Sequence, residues 1–413
     1  MIQFSAHTLA NGLQVICHED DSTPMAAFNL LYDVGARDES PERTGFAHLF
    51  EHLMFGGSAH APDFDSHLQL AGGESNAFTN NDITNFYDIV PAENLETVFW
   101  LESDRMAALK LTEKALNTQR KVVLEEFKET CTNQPYGDVW HHLMELVYHK
   151  HPYRWPTIGL VPEHIKEANL EDVRGFFSKY YKPNNAILVV AGKVNTGEVL
   201  ALAEKWFGDI KSNVRTKRQL PEEPLQTAFR SKIVEADVPS DAIYMAFRVP
   251  ARMDAAFFAV DMLSDILSNG DSSRLYRRLK KERKLFADID AYVTASFDPG
   301  LLVIEGKVAD GIEMAAAENA IWEILEEMKH EAISDDELQK HKRRLESSTV
   351  FSECNVLNKA INLAYYAAAG NADFINEEMQ HYLDLTPDDL QLSANKFFIK
   401  ENCSTLYYLS KTK

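Results

Sequence analysis

Cysteine is scarce in this chain. Cys17, Cys131, Cys354 and Cys403 are the four thiols in 413 residues, and no two of them form a C-x-x-C pair. Their wide spacing excludes a disulfide framework and a cysteine zinc site. It points to reduced, mostly buried thiols in a cytoplasmic protein. Long apolar runs are missing too. The longest, such as residues 186–191, are strand-sized, well short of the roughly 20 residues that a membrane span needs. The opening MIQFSAHTLANGLQV has no basic stretch leading into an apolar core, so no signal peptide is expected. Positive charge is outnumbered, with 42 Lys and Arg against 63 Asp and Glu and a formal net charge of −21. Nucleic acid and anionic membrane surfaces call for basic patches and are not expected partners. The sign suits a protein that handles basic peptides.

What is present is a folded soluble profile, 45% hydrophobic and 25% charged. The length suits two domains of about 200 residues each. Residues 13–18 and 26–34 read as strands, and a helix at 44–55 follows. A short helical piece ends at Gly72-Gly73. The runs SNAFT and TNFYDIV flank an Asn80-Asn81-Asp82 turn. Helical patterns fill 92–109, 112–132, 136–149 and 170–181, the strand NAILVVAG comes next, and a helix near 195–206 closes the half. The layout is α+β, a mostly antiparallel sheet with helices on one face. Residues 211–230, KSNVRTKRQLPEEPLQTAFR, have two prolines and no period and read as a linker. Its Arg215, Lys217 and Arg218 read as a solvated basic cluster.

The second half replays the first. V-x-A-R occurs at 34–37 and at 249–252, and each leads into an apolar helix that ends near Gly56 or Gly270. A later helix carries Trp100 or Trp322, and LTEKALNTQRKVVLEE lines up with ISDDELQKHKRRLESS. The expected domains are therefore 1–210 and 231–413, tandem and homologous, joined by 211–230.

The apolar helix of the first copy, GFAHLFEHLMFGG, carries His48, Glu51 and His52. Burying two imidazoles and a carboxylate costs free energy unless they are satisfied. The second copy has Asp261-Met-Leu-Ser-Asp265 in the same place, so the core does not require them. His48 and His52 lie one helical turn apart and can face one metal ion. Glu51 leans to the same side, where a carboxylate can take a proton from metal-bound water. H-x-x-E-H is a metallopeptidase signature in reversed order. It needs a third ligand, and the helix QRKVVLEEFKE offers Glu125 and Glu126.

HLFEH followed some 70 residues later by VVLEE resembles the pitrilysin/insulinase family of zinc metallopeptidases, and most closely its processing-peptidase branch of single-chain, two-domain subunits. The likeness extends through NGLQV, GARDE, GGESNAFTNNDITNFY and HPYRWPTIG to the duplicated second half. It implies zinc ligands His48, His52 and Glu126, because the family's ligand is the last acid of the run, with Glu51 as general base. Gln119 stands where the family often has a further acid. The likeness also makes SNAFT a substrate-binding edge strand, with Asn76 and Ala77 beside the scissile bond. It implies two halves closing into a clam-shell chamber around peptide substrates. The half facing the zinc usually supplies an Arg and a Tyr seven residues apart. Here Lys280 and Ala287 hold those places. A zinc endopeptidase is therefore expected, acting as a homodimer or as a heterodimer with a homologous subunit that carries the Arg/Tyr pair. The alternative is a non-catalytic structural or peptide-binding subunit of the same family.

Overall fold

The computed structural model describes residues 1–214 and 218–411. Arg215 and Lys217 lie outside the described residues. Packing divides the chain into two compact units. One comprises Met1–Lys128, Trp155–Pro221 and Thr349–Glu377; the other comprises Glu129–Arg154, Glu222–Ser348 and Glu378–Lys413. The halves expected at 1–210 and 231–413 thus each contribute one segment to the other's unit.

The first unit is built on β1 (Ser5–Thr8), β2 (Gln14–Glu19), β3 (Met25–Tyr32), β4 (Glu74–Thr79), β5 (Thr84–Pro91) and β6 (Ala186–Gly192), in the order β1-β2-β6-β3-β5-β4. Only β2 and β6 run parallel. Side chains alternate across a strand. Ala26, Phe28, Leu30 and Tyr32 of β3 enter a core shared with helices Leu95–Ala108 and Thr196–Phe207. There Phe28 meets the edge of Phe99 at 5.0 Å between ring centroids. The other face of β3 is buried as well, which departs from the expected one-sided sheet. Helix Val356–Ala368, from the second half of the sequence, packs on β3 and β6 there. Lys359 of that helix bonds Asp20 at 2.6 Å.

The second unit holds β7 (Arg230–Ala236), β8 (Ala242–Arg248), β9 (Phe286–Val293), β10 (Leu301–Val308) and β11 (Cys403–Ser410), in the order β7-β11-β8-β10-β9. This repeats β2-β6-β3-β5-β4 in order and direction, with β7 and β11 the parallel pair. The repetition reaches single side chains. Asn185 donates to the carbonyls of Tyr180 and Asp33, while Asn402 donates to those of Phe397 and Arg248. Arg120 donates to the carbonyls of Lys166 and Ala168, just past helix Pro162–Lys166. Lys342, at the aligned position, does the same for Leu383 and Leu385 at the end of helix Phe374–Asp384. Both satisfy carbonyls that a helix C-terminus leaves without partners.

The described part of the expected linker, residues 211–214 and 218–229, has irregular backbone, as read, but it is tethered. The Glu223 carboxylate accepts from the backbone N–H groups of His149, Lys150 and His151. Arg218 is not simply solvated: it pairs with Asp33 at 2.9 Å and Asp38 at 2.7 Å. None of the four cysteines is in a disulfide. Cys17 and Cys403 are buried, whereas Cys131 is half-buried and Cys354 exposed, so the expectation of mostly buried thiols holds for only two.

Candidate metal centre

The centre lies within the first unit, on helix Phe46–Met54. Phe46, Leu49, Phe50 and Leu53 of this helix face the core, while His48, Glu51 and His52 are half-buried along another side. The polar groups are therefore not sealed in the apolar face, which answers the cost of burying them. The helix starts at Gly45, whose φ of 85° is left-handed. A Cβ there would sit 2.7 Å from the Ile158 carbonyl oxygen, so only glycine lets the turn at 158–159 come this close. Glu39 is buried beneath the same end and accepts from the N–H groups of Gly45 at 2.9 Å and Ala47 at 2.8 Å. A helix N-terminus leaves such donors unpaired and favours a carboxylate. Burial nevertheless pushes the Glu39 carboxyl up to about 8, opposed by those N–H bonds. Trp155 Nε1 donates to Ala36 and braces the GARDE loop at 2.9 Å.

Glu126 comes from helix Glu113–Phe127, which is started by the Thr112 side chain accepting from the N–H of Ala115. Glu126 Oε2 lies 3.1 Å from His48 Nε2 and 3.2 Å from His52 Nε2. The two rings stand nearly perpendicular, 4.7 Å between centroids. Hydrogen bonds from His48 and then His52 hold the Glu126 carboxyl well below the usual range. Among the described residues these three side chains are the one group whose ligand atoms lie close enough together to share a metal ion, all within 4.8 Å of one another. The spacing is chemically apt. Tetrahedral zinc with bonds of about 2.0–2.1 Å sets its ligands about 3.3 Å apart, close to the two separations from Glu126 Oε2. Glu125 turns away, exposed and paired with Lys128 at 3.0 Å.

Glu51 is beside this group rather than in it. Its Oε2 lies 3.9 Å from His48 Nδ1 and accepts a 2.6 Å hydrogen bond from Thr79 Oγ1. Thr79 closes β4, which pairs with β5 alone among the described strands. Asn76 is exposed and Ala77 half-buried on the same strand, and the Ala77 N–H donates to Asn76 Oδ1 at 2.8 Å. Gln119 is half-buried two turns before Glu126 on the same helix. Glu39 and Thr79 were not singled out from the sequence. Their only signal there was membership of the GARDE and SNAFT stretches.

The second unit has no equivalent centre among the described residues. Asp261 accepts from the Tyr382 hydroxyl and Asp265 accepts from Asn269 at 2.8 Å. Ser348 stands at the position aligned with Glu126. Lys280 pairs with Asp288 at 2.7 Å, and Ala287 is exposed on β9. Arg283 pairs with Glu323, and Tyr292 donates to Glu305.

Comparison with known proteins matches residues 14–159 to the family described as insulinase (peptidase family M16) and residues 167–345 to the peptidase M16 inactive domain. The chain is 30% identical over 408 residues to the zinc protease PqqE of Helicobacter pylori, across 97% of this chain and 91% of that one. It is 24% identical over 406 residues to the mitochondrial-processing peptidase subunit beta of Saccharomyces cerevisiae, across 94% and 87%. The crystal structure of a protease from Helicobacter pylori superposes with a TM-score of 0.93 at 29% identity, covering 99% of this chain and all of that one. This chain belongs to the insulinase/pitrilysin family of peptidases.

Proposed function

We propose that this chain is a zinc-dependent endopeptidase acting on peptides or unfolded segments. The observation that carries the reading is the meeting of two imidazole nitrogens and one carboxylate oxygen, 3.1 and 3.2 Å apart, next to a separate carboxylate. His48, His52 and Glu126 would hold the ion and leave a position open to water. When bound, zinc supplies Lewis acidity, making a water acidic near neutral pH and polarising the scissile carbonyl. Glu51 takes the proton of the attacking water and delivers it to the departing amine. Gln119 can orient a ligand by hydrogen bonding but adds no charge. Substrate joins the free edge of β4 as an added strand. The Ala77 N–H becomes available to it when the Asn76 side chain turns aside.

Lys280 and Ala287 cannot supply the arginine and tyrosine that the resemblance leads one to expect. On this reading the chain is the zinc-bearing member of a homodimer or heterodimer, and a homologous subunit brings the pair. The naming of the yeast relative as a subunit supports an assembly. The acidic charge supports peptide partners over nucleic acid. No helix among the described residues is long and apolar enough to cross a membrane. A cytoplasmic location is proposed on the four cysteines, none of which is in a disulfide.

The test is hydrolysis of unstructured peptides by the zinc-loaded protein and by Glu51→Gln, each alone and with a homologous subunit carrying the Arg/Tyr pair. Cleavage that depends on Glu51 and rises sharply with the second subunit is expected. Full activity from the chain alone would remove the need for a partner. Zinc uptake with no Glu51-dependent cleavage in either setting would favour the peptide-binding or structural subunit.

A further inference from the structure

The hydroxyl of Thr79 reaches Glu51 from a different element. Glu51 is on the helix of the metal centre, whereas Thr79 ends the edge strand, 28 residues away in sequence. A threonine hydroxyl facing a carboxylate can only donate to it. At 2.6 Å this is a short, charge-assisted bond. Its position is firmly set. Thr79 pairs across the ladder with Thr84, which is fully buried and donates to the Val34 carbonyl at 2.9 Å. A β-branched side chain in a strand also has few rotamers. Glu51 itself is a long side chain with several rotatable bonds, so its carboxylate needs an external partner to stay in one place.

We infer that Thr79 is a positioning residue for Glu51. Its hydroxyl occupies Oε2, fixes the plane of the carboxylate beside His48, and leaves Oε1 as the oxygen free to accept a proton. This rests on the reading of Glu51 as general base. It adds that the edge strand proposed to receive substrate also holds the base in register, through one hydroxyl at its end.

The test compares the wild type with Thr79→Val, which keeps the shape and removes the donor, and with Thr79→Ser, which keeps the donor. The first readout is independent of metal and partner: crystal structures of the three metal-free proteins. In Thr79→Val the Glu51 carboxylate should leave its position or occupy several. In Thr79→Ser it should stay. A Glu51 carboxylate unmoved in Thr79→Val would overturn the inference. The second readout is kinetic, on the zinc-loaded protein with whatever subunit supports turnover. Thr79→Val should lose kcat by about 10- to 100-fold with KM and zinc content little changed, as expected when a catalytic group is misplaced. Thr79→Ser should recover most of it. Equal kcat in Thr79→Val and wild type, in an assay where Glu51→Gln is inactive, would also overturn it. If Glu51→Gln were as active as wild type, the general-base reading itself would fail, while the crystal structures would still decide whether Thr79 places the carboxylate.

Discussion

His48 and His52 share Glu126 Oε2 as a common neighbour, so each of the three side chains has its place defined by the other two. Replacing Glu126 with Ala should remove one of three ligands and release bound zinc. Glu51→Gln should keep the metal and lower hydrolysis by about 100-fold or more, the usual worth of a general base. Isothermal titration of zinc and a peptide assay on the two variants separate these roles. The pairing of His48 with His52 was legible from their spacing alone. The choice of Glu126 over Glu125 was not, since both lie on the same helix turn and only the family resemblance favoured Glu126. The structure turns Glu125 outward to Lys128. Thr79 and Glu39 were illegible for a different reason. Their contacts join residues brought together by sheet register and by a loop folding back under a helix end, and no local periodicity encodes either.

At the scale of elements, β4 matters most, because its last residue, Thr79, reaches Glu51 and one of its edges is unpaired among the described strands. Ala77→Pro removes an N–H that takes no part in the ladder and bonds only Asn76 Oδ1. Proline is tolerated on an edge in that orientation. The variant should fold and bind zinc normally but raise KM roughly 10-fold, the worth of one lost hydrogen bond to substrate. Unchanged KM would argue against strand addition at this site. Helix Val356–Ala368 was not expected on the first sheet, since its apolar pattern shows that it is buried but not against what. Lys359 ties it to β2's end through Asp20, where this bond holds the Asp20 carboxyl well below the ordinary aspartate range. A depressed carboxylate stabilises the folded state above its unfolded pKa. The contribution, about 1 kcal/mol for a partly exposed pair, fades as pH falls through the ordinary aspartate range of about 4 and below. Urea unfolding of wild type and Lys359→Met should therefore differ near neutral pH and converge in acid.

Across the whole molecule, one fold is used twice, and among the described residues the candidate metal ligands come together only once. The tandem repeat was legible from V-x-A-R and the paired helices, and it extends to matching side chains such as Arg120 and Lys342, which hold helix ends in both units. What the linear sequence did not reveal is the exchange of segments, in which Glu129–Arg154 and Thr349–Glu377 join units built mainly from the other half. Such packing follows from long-range contacts rather than from local pattern. Retention of the shared frame with Asp261 and Asp265 in place of the histidines shows that the fold itself does not depend on His48 and His52. The most direct measurement is zinc per chain by elemental analysis, on the wild type and on Glu126→Ala after identical dialysis and zinc add-back. Close to one zinc in the wild type and little in the variant is the expected result. No zinc retained by the wild type, or equal zinc in both, would contradict a centre built from His48, His52 and Glu126.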